Sequence, residues 1–220
     1  MKPSFFPIRN AMLGLVLMAL AISTTAQTWV RYQGQPRGSK LKLEGTSTLH
    51  DWTVEGKLIA GFMELETNFP LDPAAKPPAD AKLNAKVEVK IPVTSLLSGT
   101  QLMDEVMYEA MKQKQYKDIL YRLKQISLKK SAPSGALQFD AIGEFSIAGM
   151  LRTNAMVVTI ERLDAARLKV KGETAFKMTD YGIKVRAPLA LPLKVGDEVK
   201  IAFEWLAAQK AEAAKPGEKK

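Results

Sequence analysis

The chain has 220 residues, of which 46% are apolar and 25% are charged, and its formal net charge is +9. This composition is ordinary for a globular protein, and it excludes a wholly disordered chain and a polytopic membrane protein. The lack of cysteine excludes disulfides and thiolate metal sites, and the single histidine, His50, excludes a centre with several histidine ligands.

The first 26 residues have the order of a secretory signal peptide. Lys2 and Arg9 precede an apolar stretch over 11–22, which is followed by small residues up to Ala26. This stretch is well short of the roughly 20 residues that cross a bilayer as a helix. We therefore expect cleavage after Ala26 and export to the periplasm or the exterior, with an uncleaved anchor as the alternative. Nucleic acid is not an expected partner of an exported chain.

Alternating apolar and polar residues dominate the rest of the chain. Over 83–93 every second residue is apolar, which predicts a long strand with one dry and one wet face. The same period predicts strands at 41–45, 52–56, 137–147, 168–178 and 199–205, with shorter candidates at 61–66, 119–128 and 155–162. Glycines inside these segments predict the bends or bulges of a closed barrel. They are Gly45, Gly56, Gly143 and Gly172.

One segment, about residues 100–115, has a helical period instead. Its apolar residues recur at spacings of three and four, from Leu102 to Met111. Ser98 and Gln101 have the spacing of a capping box. The sequence therefore predicts a single amphipathic helix that covers or flanks the strands.

About eight long strands, each with one apolar face, must bury those faces, and this indicates an all-β fold. A barrel and a sandwich both satisfy the pattern, and the long strands with one helix favour an antiparallel eight-stranded β-barrel. We expect one barrel domain over 27–206. The Ala/Lys/Glu-rich stretch 207–220 is predicted to be a disordered tail.

Five segments of this chain, in their order and spacing, resemble the YceI-like family of periplasmic lipid-binding proteins. They are GTSTLHDW at 45–52, MDEVMYEAM at 103–111, GEFSIAGMLR at 143–152, MTDYGIK at 178–184 and PLKVGDEVKI at 192–201. The resemblance implies an extended lipocalin-like barrel. It also implies a long apolar ligand, such as a polyisoprenoid or a quinone tail, held without a metal or catalysis.

The residues that we expect to contact such a ligand are apolar and lie on dry strand faces or on the helix. They are Leu43, Trp52, Val54, Val87, Val89, Ile91, Met103, Met107, Met111, Phe139, Phe145, Val170, Phe176, Phe203 and Trp205. An eight-stranded barrel can be filled by its side chains or can hold one ligand. Small residues on the same faces, Ala85, Ala141, Gly143 and Gly172, favour a cavity. A filled interior would instead indicate an envelope protein that acts through protein partners.

His50 and Asp51 raise the question of an acid–base pair. Neighbouring strand residues point to opposite faces, and no G-x-S-x-G motif accompanies them. We interpret the pair as a structural turn, with contact between His50 and a ligand headgroup as the alternative. The expected protein is not an enzyme and needs no cofactor beyond a bound lipid.

Lysines occupy many of the wet strand positions. They predict a solvated face or, alternatively, contact with an anionic membrane surface. They are Lys40, Lys42, Lys86, Lys90, Lys169 and Lys171. The sequence leaves the oligomeric state open, including a homodimer.

Overall fold

The computed structural model describes residues 28–35, 37–72, 83–129, 137–185 and 194–209. The predicted signal peptide and residues 210–220 of the predicted tail lie outside these ranges. The described part contains one α-helix, α1 (Gln101–Ala110), and eleven strands. The strands are β1 (Trp29–Gly34), β2 (Lys40–Ser47), β3 (Trp52–Gly56), β4 (Ala60–Glu66), β5 (Ala85–Pro92), β6 (Leu96–Leu97), β7 (Asp118–Leu128), β8 (Gln138–Ile147), β9 (Met150–Arg162), β10 (Arg167–Lys177) and β11 (Val195–Gln209).

The strands form one antiparallel sheet that closes on itself. Eight of them are neighbours in the order β1-β4-β5-β7-β8-β9-β10-β11, and β1 pairs again with β11. The predicted all-β, eight-stranded antiparallel barrel with one helix is therefore confirmed. In the described residues no helix is long and apolar enough to cross a membrane.

The three remaining strands continue the same wall. β2 pairs with β11 beside β1, β3 pairs with β2, and β6 pairs with β3. Each therefore prolongs the strand next to it in sequence, after a bend at 37–38, at 57–59 or in the short 3-10 helix Val93–Ser95. Eleven segments make eight barrel strands because three barrel strands are bent.

The connections divide between two ends of the barrel. One end, which we call the helix end, carries the β2–β3 turn, α1, the β8–β9 turn and the segment that follows β10. At the other end Phe69 and Leu71 follow β4 and are buried. The ring centroid of Phe69 lies 5.3 Å from that of Phe139, which is fully buried. These apolar side chains fill that end, which we call the closed end.

The structure corrects the sequence predictions at the ends of elements. β1 was not predicted, because Trp29–Gly34 is too short to show a clear period. β11 continues to Gln209, and Ala207 within it is only 1% exposed. The predicted start of the tail at residue 207 is therefore too early. The helix is also shorter than predicted and ends at Ala110.

The predicted capping box at Ser98 and Gln101 is wrong. The N-cap of α1 is Thr100, and its side chain makes no capping hydrogen bond. Ser98 instead donates from its backbone nitrogen and from its hydroxyl to Oδ1 of Asp104, each at 2.7 Å. Asp104 lies in the first turn of α1, so this carboxylate ties the helix to the loop before it.

Candidate functional site

A cavity of about 900 Å³ occupies the interior of the barrel. The inward side chains Val87, Val89 and Ile91 of β5 are only half-buried, although they point away from the outer surface. They keep accessible area because the space in front of them is empty. The barrel is therefore hollow, and the alternative of a filled interior is wrong.

The cavity brings together nearly all of the apolar residues that we expected to contact a ligand. Those that line it are Leu43, Trp52, Val54, Val87, Val89, Ile91, Met103, Met107, Met111, Phe145, Val170, Phe176, Phe203 and Trp205. Phe139 does not line it, because its ring packs against Phe69 at the closed end. Contact of these side chains with a ligand stays a prediction.

Three aromatic rings occupy the places where glycines have no side chain. The pairs are Gly45 with Trp52, Gly143 with Tyr121 and Gly172 with Phe203. A Cβ atom on any of these glycines would overlap the ring beside it. We expected these glycines to leave room in the interior by themselves. The structure corrects this, because aromatic rings occupy the places of their missing side chains. The glycines let bulky rings lie close to the wall, which preserves the cavity behind them.

Further lining residues come from strands that the sequence showed only weakly. They are Met63 and Leu65 of β4, Tyr121, Leu123 and Ile126 of β7, and Met156, Val158 and Ile160 of β9. Their alternation within the short candidate segments was the available signal. Burial raises the pKa of Tyr121, whose hydroxyl lies in these apolar surroundings.

Helix α1 lies across the helix end and turns its methionines inward. Met103 and Met107 line the cavity, yet no residue of the helix itself is fully buried. The hydroxyl of Tyr108 donates to the carbonyl oxygen of Leu96 at 2.7 Å. Burial, together with the nearby charge of Asp104, raises the pKa of this tyrosine. The helix is thus a thin cover that is held by a few polar contacts and by apolar side chains.

The polar lining residues are concentrated at the helix end and form what we call the polar rim. The polar rim is Ser47, His50, Asp51, Thr53, Ser98 and Thr100, and Thr174 of β10 is a further polar lining residue. Nδ1 of His50 lies 2.8 Å from the backbone carbonyl oxygen of Asp51. A carbonyl oxygen only accepts, so Nδ1 carries a hydrogen and Nε2 of the neutral ring is left as an acceptor. The described residues include no cluster of three or more histidine, aspartate or glutamate side chains that could hold a metal ion.

Acidic residues pair with four of the six wet-face lysines. The pairs are Lys42 with Glu44 at 2.6 Å, Lys90 with Asp118 at 2.9 Å, Lys171 with Glu161 at 3.7 Å and Lys86 with Glu64 at 3.8 Å. The strand face is therefore a mixture of both charges rather than a basic surface.

The YceI-like domain family matches residues 32–207 of the chain. The search of curated proteins found no match to this chain. A polyisoprenoid-binding domain from Saccharophagus degradans, implicated in plant cell wall breakdown, has a similar fold, with a TM-score of 0.60 and 13% identity. The alignment covers 82% of this chain and 99% of that domain.

Two further solved structures have similar folds. BcnA of Burkholderia cenocepacia aligns with a TM-score of 0.57 and 19% identity over 77% of this chain and 96% of its own. The YCEI protein of Campylobacter jejuni aligns with a TM-score of 0.50 and 18% identity over 71% of this chain and 84% of its own.

Proposed function

The chain belongs to the YceI-like family, and we propose that it is an exported protein that holds a long apolar chain inside its barrel. A polyisoprenoid or the tail of a quinone has the required chemistry. The protein would act as a carrier or as a sequestering protein. The observation that carries this proposal is the cavity of about 900 Å³ with its almost wholly apolar lining.

The cavity has the size for such a ligand. At about 30 Å³ for each water-sized group, its volume corresponds to about 30 carbon atoms, or about six isoprene units. Burial of one methylene contributes about 0.8 kcal/mol. The gross gain for 30 carbons is then about 24 kcal/mol, more than the roughly 18–21 kcal/mol at which non-covalent affinities saturate. Apolar contact alone is therefore sufficient, even after the cost of ordering a flexible chain.

The lining also suggests an orientation for the ligand. The apolar tail would point toward the closed end, and a polar headgroup would lie at the polar rim. Nε2 of His50 can accept a hydrogen bond there, which suits a hydroxyl headgroup. The polyisoprenoid-binding domain of similar fold supports this ligand class.

We infer that the protein acts by binding and not by catalysis, without a cofactor. A catalytic base lies within hydrogen-bond reach of the nucleophile that it activates, and among the described residues the ring of His50 has a hydrogen bond only with the backbone carbonyl oxygen of Asp51. Export rests on the pattern of residues 1–26, and intact-mass measurement of the secreted or periplasmic protein tests it. The expected mature chain begins at Gln27.

Mass spectrometry of organic extracts tests the ligand. The protein is purified from the exported fraction without detergent, and an isoprenoid or other long-chain lipid is expected at near one-to-one stoichiometry. Thr174 lines the cavity, and its neighbour Ala175 is exposed on the outer face of β10. Thr174→Trp should lose most of the extracted lipid, and Ala175→Trp should retain it.

An empty extract, followed by failure to take up added isoprenoid alcohols, would refute the proposal. The favoured interpretation would then be an envelope protein that acts through protein partners.

A further inference from the structure

Exposed apolar side chains are concentrated at the helix end of the barrel. The described residues include ten large hydrophobic side chains that are exposed, and three of them, Leu58, Ile142 and Leu163, lie elsewhere. The other seven are Leu49, Leu97, Leu102, Tyr116, Leu120, Met150 and Leu151. Such a one-sided distribution marks an interaction surface more often than scattered exposure does.

Three of the seven lie near one another on the outside of the helix end, and we call them the outer apolar patch. Leu120 of β7 and Leu151 of β9 both pair with Ser146 of β8, so they flank it on the outer face. The ring of Tyr116 lies against Gly149, the residue before Met150. The outer apolar patch is Tyr116, Leu120 and Leu151; Met150 is left out because it pairs with Ile147, which lines the cavity, and so shares the inward face.

Cations are interleaved with this patch. Residues 111–121 contain three of them, and none is in an ion pair within the described part of the chain. They are Lys112, Lys114 and Lys117. The one carboxylate in this segment is Asp118, which already pairs with Lys90 at 2.9 Å. The surface therefore combines exposed apolar groups with a net positive charge.

We propose that the outer apolar patch docks the helix end onto a lipid bilayer with anionic headgroups. Apolar side chains enter the boundary between headgroups and acyl chains, and the cations remain at the phosphates. A second copy of this chain fits less well, because a twofold contact through the patch would bring the same three cations together. This proposal rests on the proposed function, because docking would bring the polar rim and α1 to the membrane where the carried lipid is loaded or released.

Vesicle sedimentation tests the docking. The mature protein is mixed with vesicles of phosphatidylcholine alone and with vesicles that contain equal amounts of phosphatidylcholine and phosphatidylglycerol. Binding is expected only to the anionic vesicles and should fall as salt is added. Loss of the charges in Lys114→Gln/Lys117→Gln should weaken the partition constant about thirtyfold, at the usual contribution of a lysine near such a surface. Leu120→Thr/Leu151→Thr should weaken it at least tenfold.

Two matched variants control for charge and apolar area at other places. Lys40→Gln/Lys169→Gln removes two wet-face lysines, and Ile142→Thr/Leu163→Thr removes two exposed apolar groups away from the patch. Both should bind as the parent does. No binding to anionic vesicles, or equal losses in the patch and control variants, would overturn the proposal. A change of oligomeric state in the patch variants alone would also overturn it, because the patch would then join two copies.

Lipid extraction from the same samples separates the two proposals. Retained lipid without vesicle binding refutes the docking alone. Vesicle binding without any retained or acquired lipid refutes the carrier function and supports the docking surface.

Discussion

Replacement of Ala141 by phenylalanine should shorten the chain that the barrel prefers. Ala141 lines the cavity from β8, two residues from Phe139 of the closed end. A larger side chain at this position would project from the floor of the cavity into the space that the tail of a ligand fills. The polar rim at the opposite end would be unchanged.

The magnitude follows from the added volume. The phenyl group adds six carbon atoms, or about 180 Å³ at about 30 Å³ each, which is a fifth of the 900 Å³ cavity. This is the space of about one isoprene unit, whose burial contributes about 4 kcal/mol before ordering costs. Part of this loss is offset because the displaced unit no longer has to be ordered. We expect about tenfold weaker binding of the ligand that fills the parent cavity, and unchanged binding of a chain one unit shorter.

Displacement of a fluorescent apolar probe by isoprenoid alcohols of stepwise length measures this preference. Ala155→Phe is the matched control, because Ala155 is exposed on the outer face of β9 and pairs with Ile142. Chemical denaturation checks that the variant is folded, since overpacking typically costs about 1–3 kcal/mol. A folded Ala141→Phe protein with the parent length preference would refute this reasoning, as would an equal shift in the control.

Three further predictions concern stability and ligand release. Phe139→Ala should lower the free energy of unfolding by about 3–5 kcal/mol in urea denaturation, because the ring is fully buried against Phe69; a loss under about 1 kcal/mol would contradict this packing. Burial raises the pKa of Tyr121 above its usual 10.0, so the contribution of this tyrosine to stability should be constant below that pH and fall above it by about 1.4 kcal/mol per pH unit. Tyr121→Phe should therefore reduce the slope of stability against pH above 10, and an unchanged slope would contradict this prediction. Tyr108→Phe removes the hydrogen bond to the carbonyl oxygen of Leu96 and should speed ligand dissociation about fivefold in stopped-flow experiments. The stoichiometry of binding should be unchanged. An unchanged dissociation rate would show that α1 does not limit release.

Alternation was sufficient to predict most strands and their dry faces, whereas the choice of a barrel over a sandwich depended on the length of the strands and on the single helix. In β5 the apolar residues Val87, Val89 and Ile91 face inward as predicted. No pattern in the sequence indicated the bends between consecutive strands. β1 is too short to show the period, and only the pairing of both β1 and β2 with β11 shows that they form one barrel strand.

The hollow interior could be favoured from sequence but not established. Phe139 and Trp205 have the same pattern in the sequence, yet one fills the closed end and the other lines the cavity. The difference depends on their distance from the barrel ends. The seating of Phe203 over Gly172 depends equally on the register between β10 and β11, which no local pattern encodes.

The pairing of β1 with β11 sets a condition on the order of folding. The hydrogen bond from Gln209 Nε2 to the hydroxyl of Tyr32 joins residues 177 positions apart, and β2 pairs with the same strand β11 across a similar separation in sequence. The other barrel strands pair with near neighbours in sequence, and contacts of such long range form late because they close the largest loop. We therefore expect the sheet to be an open, curved ribbon with an apolar inner face until β1 and β2 pair with β11. A lipid that is present at that stage can enter before closure, and because it binds the closed barrel more tightly than the open sheet, it favours closure.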